Sequence, residues 1–430
     1  MSDTHEHSVA FVRDTMLPEQ TPPAAETGVV KWMRENLFSS VFNGLLTLAA
    51  IYCVYALVSW ILPWILNGIW DAPSIRACRE ILQGEVGGCF AVLTERWNQL
   101  LFGFQYPDEL YWRVTLAFIL LFVAIAPVLF HKIFPRQMLY FTGLYPFVAY
   151  WLIWGGSLLV PAFALLGIVV GYLVYRRYVA QSFILAFFGG IAATGVFWWL
   201  SGFVPVEGVL STPVVESRQI GGFMLNLILG TVCVSLSIPI GIALALGRQS
   251  DMPIIKWICV VFIEFIRGVP LITLLFVANV VLAYFLPPGT NFDLIVRVII
   301  MITAFASAYI AEVIRGGLSA LPSGQYEAAD SLGLDYAQSM RLIILPQALK
   351  ISIPGIVNVA VGLFKDTTLV SIISMFDLVG MIRGPVLAST EWNGVYWELF
   401  GFAALLFFVV CYGISQYSQW LERQLTTDHR

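Results

Sequence analysis

Two acidic residues each stand three positions ahead of an arginine in apolar surroundings: Glu264 with Arg267, and Glu312 with Arg315. That spacing places both members on one helix face, so each can form a local ion pair. Charges within or beside a bilayer are costly unless they are paired or set in a water-lined cavity. Two readings stay open: pairs that lock helix ends together, or Glu264 and Glu312 facing a solute path. A third polar stretch, Lys365-Asp366-Thr367-Thr368, follows an apolar run and precedes Ser371-Ile372-Ile373-Ser374-Met375-Phe376. That segment is too short and too polar to cross a membrane, and Asp377, Arg383 and Pro385 close it off. It reads as a re-entrant or gate-forming segment, tolerated where irregular backbone lines a cavity in protein. A path for a solute carrying both charges wants hydroxyls and paired charges, which Asp366, Thr367 and Thr368 supply. The plainer alternative is a structural Lys365–Asp366 lock.

Other chemistries lack their residues. There is no G-x-x-x-x-G-K-[ST] and no Gly-Lys dipeptide, so nucleotide phosphates are not cradled by that route. The four histidines, His5, His7, His131 and His429, do not cluster with cysteine, which argues against a metal site. No Ser/His/Asp arrangement stands out either, so the chain is expected to be no enzyme and to bind no cofactor. Nucleic acid would need a basic face, and none is present. Of six cysteines, Cys53, Cys233, Cys259 and Cys411 lie in apolar runs and read as packing residues. Cys78 and Cys89 share one loop and can form a disulfide if that loop faces an oxidising compartment.

The elements that position these residues are apolar helices. The chain is 430 residues long, 59% hydrophobic and only 12% charged, the composition of a polytopic membrane protein. Many runs reach the roughly 20 residues that span a bilayer as helix. The fold class is all-α, with about ten spans: 37–65, 112–130, 138–154, 158–175, 181–203, 221–246, 254–286, 294–314, 342–364 and 397–417. The run 254–286 is too long for one straight span, and Gly268 with Pro270 predicts a kink. Residues 1–35 read as a disordered cytoplasmic tail, and 36–203 as a first transmembrane region with a folded, lid-like external loop at about 66–111. A polar linker, 204–220, separates this from a second half, 221–420, and 421–430 is a charged tail. With the N-terminus inside, Lys132/Arg136, Arg176/Arg177, Arg248/Lys256, Arg315/Arg341 and Arg423/Arg430 all fall on the cytoplasmic side, and so do both termini.

One polar stretch interrupts the second half. Glu327-Ala328-Ala329-Asp330-Ser331-Leu332-Gly333 is followed, after a spacer, by Ile343-Ile344-Leu345-Pro346. Pro322 and Ser323 offer a helix start and Gly333 a stop. Asp335, three residues before Gln338, has capping-box spacing for a second helix. A short helix, a sharp turn and a second helix leading back to the membrane make a knob on which a soluble partner can push.

This stretch resembles the cytoplasmic coupling loop of ABC importer permeases, whose signature is EAA, three residues, Gly, nine residues, Ile, one residue and Leu-Pro. Glu327, Ala328, Ala329, Gly333, Ile343, Leu345 and Pro346 fill every position, the first four within a loop at 318–341 and the last three in the segment after it. Three further runs resemble those of polar amino-acid permeases: Glu264 to Leu271, Tyr309 to Gly317 and Leu363 to Leu369, with Thr368 where Ser is commoner. Together they cover about 221–419. The extended first half is similar to the long permease subunits of broad-specificity L-amino acid importers.

The resemblance implies a type I ABC importer core of five helices in 221–420, in the inner membrane of a bacterium. It implies no nucleotide site in this chain: a separate ATPase subunit, acting as a homodimer, hydrolyses ATP and docks at Glu327 to Gly333. It also implies a second, related but non-identical permease chain and a periplasmic amino-acid-binding protein, all within membrane lipid. An ABC permease for another solute, such as an opine or osmolyte, is the nearest alternative. An ion-driven secondary transporter or a membrane scaffold leaves the coupling-loop signature unexplained.

Overall fold

In the computed structural model, residues 28–130, 132–205, 210–281, 284 and 293–427 are described. His5, His7, His131, His429, Arg430, the first 27 residues of the expected tail and the end of the 254–286 run lie outside them. Regular structure among the described residues is helical, apart from isolated bridges such as Ile69 with Cys89.

Of the described residues, 28–68 and 82–88 form one unit. Its first helix, α1 (Gly28–Asn36), begins inside the segment read from sequence as a disordered tail. Lys31 and Glu35 pair one turn apart on it at 3.8 Å, an exposed contact that adds only a few tenths of a kcal/mol to the helix. Helix α2 (Val41–Leu66) starts at Ser40, whose hydroxyl accepts from the Asn43 N–H, and is apolar on every side. Asn67 then donates to the Val86 carbonyl at 3.1 Å, which closes the turn after it.

The second unit, residues 69–81 and 89–430, carries the rest. It begins with α3 (Ile75–Leu82), α4 (Ala91–Glu95) and α5 (Trp97–Phe102), short helices in the expected lid-like loop. Cys78 and Cys89 are joined in a disulfide there. The long helices follow: α6 (Tyr111–Leu129), α7 (Met138–Trp154), α8 (Leu159–Tyr178), α9 (Phe183–Ser201) and α10 (Gly222–Gln249). After these come α11 (Pro253–Gly268), α12 (Leu271–Phe276), α13 (Leu294–Ser319), α14 (Ser323–Ser331), α15 (Tyr336–Ser339), α16 (Leu345–Asp366), α17 (Leu378–Met381) and α18 (Tyr396–Thr427).

Eight of the described helices are long and apolar enough to cross a membrane, and a ninth span results if one bent pair is counted together. That pair is α11 with 271–281, which meet at 103° around Pro270, where a kink was expected. Helix α7 is shorter, at 17 residues. Each of the ten runs marked out in the sequence is thus helical over most of its described length.

One apolar core joins the two halves of this unit. Val114 and Ala117 of α6 and Leu152 and Ile153 of α7 belong to the same buried cluster as Leu225, Leu229, Ile302 and Val370. Arg113 fastens the linker to it. Fully buried, its Nε donates to the Leu152 carbonyl at 2.7 Å and its Nη1 to the Pro213 carbonyl at 2.9 Å. The lid-like loop is also built onto the second half. Gly222 has φ +61, and a Cβ there would lie 2.5 Å from the Leu100 carbonyl oxygen, so only glycine fits between α5 and the start of α10. Arg96 pairs with Glu391 at 2.8 Å, and the Cys89 N–H donates to Glu398.

Removing the Arg113 side chain strips the buried Leu152 carbonyl and the part-buried Pro213 carbonyl of their donor. Arg113→Ala is expected to cost about 2–4 kcal/mol, read as a lower thermal midpoint of the solubilised complex. Arg113→Lys should recover only part, because one ammonium lacks the fork that reaches both carbonyls. Wild-type stability in the alanine variant would remove this clamp from the account.

Candidate functional site

The EAA stretch folds as a stiff unit, and each of its joints has a local cause. Helix α14 follows Pro322, which is extended and cannot continue a helix backwards. It ends in a paired closure: the Gly333 N–H donates to the Asp330 carbonyl at 2.9 Å and the Leu334 N–H to the Ala329 carbonyl at 3.3 Å. This is a Schellman motif, and its left-handed residue is Gly333 at φ +70. Asp335 then caps α15: its Oδ1 accepts from the Gln338 N–H at 2.7 Å, and the Gln338 side chain accepts from the Asp335 N–H. A π-helical turn, Met340–Ile344, leads into α16, whose first turn holds Leu345 and Pro346.

A tie not foreseen from sequence closes the unit. Gln347 of α16 donates to Gln325 of α14 at 3.0 Å. Ala329 is fully buried, whereas Glu327 and Ala328 are exposed, so the two alanines face opposite ways. Leu332, Tyr336 and Leu342 are 73%, 63% and 64% exposed, an apolar rim around the Gly333 turn. Met340, Ile344 and Tyr326 pack inward, in one cluster with Ile310, Ile314 and Ile263.

Behind that cluster, the charged residues pair across helices. Glu264 and Arg267 do not bond each other, although they share a helix face. Glu264 instead accepts from Arg248 at 2.8 Å, and Arg267 approaches Glu312 at 3.6 Å. Glu312 also accepts from Arg248 at 3.2 Å and from the Arg315 Nε at 2.7 Å. The Arg267 guanidinium lies over the Tyr309 ring, 5.6 Å from its centre. One carboxylate thus collects guanidinium groups from α10, α11 and α13. These contacts join the ends of three helices. Arg248 was seen only as a positive residue near a span end, and nothing local in the sequence joins it to Glu264 or Glu312.

The polar stretch after α16 is a 3-10 helix, Thr367–Ile373, followed by Ser374 in the left-handed region and the cap of α17. Thr367 is fully buried. Its hydroxyl donates to the Phe364 carbonyl and accepts from the Asn226 amide at 2.9 Å. Asn226 reaches further: its amide donates to Asp377 at 3.1 Å, and its carbonyl oxygen accepts from the Leu378 N–H. Asp377 also accepts from the Gly380 N–H at 2.9 Å. Asn226, a lone amide in an apolar run, was the sequence signal for this bolt, since such a group needs a partner inside the protein. Asp366 and Thr368 are only half-buried. No ion pair joins Lys365 to Asp366 among the described residues, so the Lys–Asp lock does not form. The same residues contain no cluster of ligands for a metal.

The family described as "Binding-protein-dependent transport system inner membrane component" matches residues 237–425. The glutamate/glutamine/aspartate/asparagine transport system permease BztC of Rhodobacter capsulatus is 49% identical over 441 aligned positions, covering 100% of both chains. The chain belongs to this permease family. The inner membrane amino-acid ABC transporter permease YhdY of Escherichia coli is 38% identical over 92% of this chain and 93% of its own. A solved amino acid ABC transporter with histidines aligns at 32% identity and TM-score 0.42, over 47% of this chain and 92% of that one. This permease is therefore a multi-pass transport component of an ABC system and no enzyme, and an ATPase outside the chain is part of its working assembly.

Burial pushes the Asp377 carboxyl up to about 6, against N–H donors that favour its charged form. An acid raised above its ordinary 3.8 holds its proton more tightly folded than unfolded. Its stabilising contribution is therefore greatest below 3.8 and is lost as pH rises through about 6. Asp377→Asn should flatten the fall in thermal midpoint between those two values, and an unchanged slope would count against Asp377 as its source. For the charge cluster, a double-mutant cycle of Glu312→Gln with Arg267→Gln is expected to give a coupling of about 0.2–1 kcal/mol in unfolding. Additive effects would mean that the two groups do not hold each other.

Proposed function

We propose that this permease is the membrane subunit of an ATP-driven importer of L-amino acids, and that residues 323–346 are the handle by which an ATPase moves it. The observation that carries this reading is the stiffness of that unit: two capped helix ends, a Schellman turn and the Gln325–Gln347 tie. A push on a hinge would be absorbed locally. A push on a block packed against α13 and α16 reaches the charged helix ends and the spans beyond them. Glu327, Ala328, Gly333 and the exposed Leu332, Tyr336 and Leu342 form the surface a cytoplasmic ATPase homodimer grips. Ala329, Leu345 and Pro346 fix its base.

In this reading the chain itself binds no nucleotide, and ATP is hydrolysed by the partner. The coupling unit faces the cytoplasm, both termini lie on that side of the bacterial inner membrane, and the loop of α3–α5 faces the periplasm. The Cys78–Cys89 disulfide supports that placement, because such bonds persist in oxidising compartments. A periplasmic binding protein delivers the amino acid, and a second, related permease chain completes the path. Of the five path candidates, only Asp366 has a side chain without a hydrogen bond or ion pair among the described residues; Thr368 donates its hydroxyl to the Lys365 carbonyl, and Glu264, Glu312 and Thr367 spend theirs on neighbouring residues.

Broad specificity for L-amino acids fits the resemblance, and the name of the BztC relative favours acidic amino acids and their amides within that range. The test is ATP-driven, binding-protein-dependent uptake in proteoliposomes with labelled L-amino acids in competition. Mutual competition among acidic, amide and other neutral amino acids is the expected result. Uptake of a single class would reduce the range, and uptake of none would overturn the substrate assignment. Gly333→Val should break the left-handed turn at a cost of about 1–2 kcal/mol, abolishing substrate-stimulated ATPase while membrane insertion persists. Normal uptake by that variant would refute the handle.

A further inference from the structure

A cavity of about 600 Å³ lies between the ends of the spans and the coupling unit. Arg248, Lys256 and Arg315 line it, with Tyr326 and Tyr336 from the coupling unit on the opposite wall. Its charge is not balanced. Arg248, Arg267 and Arg315 share the carboxylates of Glu264 and Glu312, and Lys256 has no ion pair among the described residues. Asp251, within electrostatic reach of Tyr336, is a further carboxylate nearby, so these cations still outnumber these anions.

Helix α11, which supplies Lys256, is amphipathic. Lys256, Val260, Glu264 and Arg267 follow one another at helical spacing along one face. Ile254, Trp257, Ile258, Val261 and Phe265 form the other face, and all are exposed. A broken helix with an exposed Ile/Trp/Phe face and a cationic face has the pattern of a segment lying at a membrane–water boundary. Basic pockets between spans on the cytoplasmic side suit phosphate head groups.

We propose that this cavity is a binding site for the phosphate head group of an anionic membrane phospholipid, with the acyl chains along the exposed apolar face of α11. The phosphate sits between Lys256 and the Arg248 and Arg315 guanidinium groups. The Tyr326 hydroxyl is its donor from the coupling unit. A lipid held there bridges the span ends and the part of the permease that the ATPase moves. The site goes beyond the transport reading and uses a residue, Lys256, that has no part in the coupling surface or the proposed solute path.

The test is native mass spectrometry of the assembled complex from vesicles of phosphatidylethanolamine with phosphatidylglycerol, compared with phosphatidylcholine alone. Phosphatidylglycerol should be retained in preference. Lys256→Gln should weaken its retention about fivefold, the effect of one juxtamembrane cation at an anionic surface. Lys256→Arg should restore it, and Lys350→Gln, which removes an exposed charge elsewhere, should leave it unchanged. Equal retention of both lipids would overturn the proposal, as would equal loss in the Lys350 variant. Displacement by millimolar inorganic phosphate would show a free-anion site in place of a lipid site. No lipid at all in an assembled complex would mean that a partner chain covers the face. Each result is independent of whether, and for which solute, the proteoliposomes transport.

Discussion

The second half of the permease depends on one carboxylate. Glu312 meets guanidinium groups from three helices, and the helix ends that carry them could not otherwise lie close together. Three cations so placed repel unless an anion sits among them, and at a membrane boundary the repulsion is less screened than in water. The arrangement is partly exposed, so its individual bonds contribute little to stability. Its effect is on position. It sets where α10, α11 and α13 end relative to one another, and those ends are the ceiling against which the coupling unit packs.

From there to the coupling surface the connection is apolar and continuous. Ile310 and Ile314, two residues either side of Glu312, share a cluster with Met340 and Ile344, which lie in the turn leading into α16. Close-packed side chains transmit displacement poorly only where there are voids or hinges. The hinge-prone places here, the Gly333 turn and the start of α15, are stiffened by paired hydrogen bonds. At the other end of α16, the Thr367–Asn226–Asp377 bolt holds the short helices after it onto the start of α10. A tilt of α16 is thus felt at both ends of the unit, one fixed by charge and packing, the other by buried hydrogen bonds.

Much of this was legible before any coordinates. The apolar runs, the break at Pro270 and the helix–turn–helix after Pro322 follow from length, Gly/Pro placement and capping residues, all local properties. What the sequence hid was pairing over distance. Glu264 lies three residues before Arg267, yet its partner is Arg248, sixteen residues back across a helix boundary. Asn226 and Asp377, 151 positions apart, give no local hint of each other. Thr367 reads as a path hydroxyl because it neighbours Asp366 and Thr368, but a 3-10 turn rotates it inward while they stay half-exposed. Helical phase decides such cases, and short polar stretches are where phase is hardest to read.

The first half, which carries no motif, is tied in by the same kind of interaction that organises the second. Arg113 is a buried charge with carbonyl partners only, a costly choice for mere attachment. Its geometry explains the choice, because a planar fork can hold two backbone segments at fixed separation where apolar side chains would let them slide. The loop of α3–α5 follows the same logic, with Arg96 on Glu391 and Glu398 on the Cys89 backbone. These contacts fix the loop to the segment before α18 and to its first turn, one by an ion pair and the other by a backbone N–H on a buried carboxylate, so the added loop is held to the second half at two points rather than lying beside it.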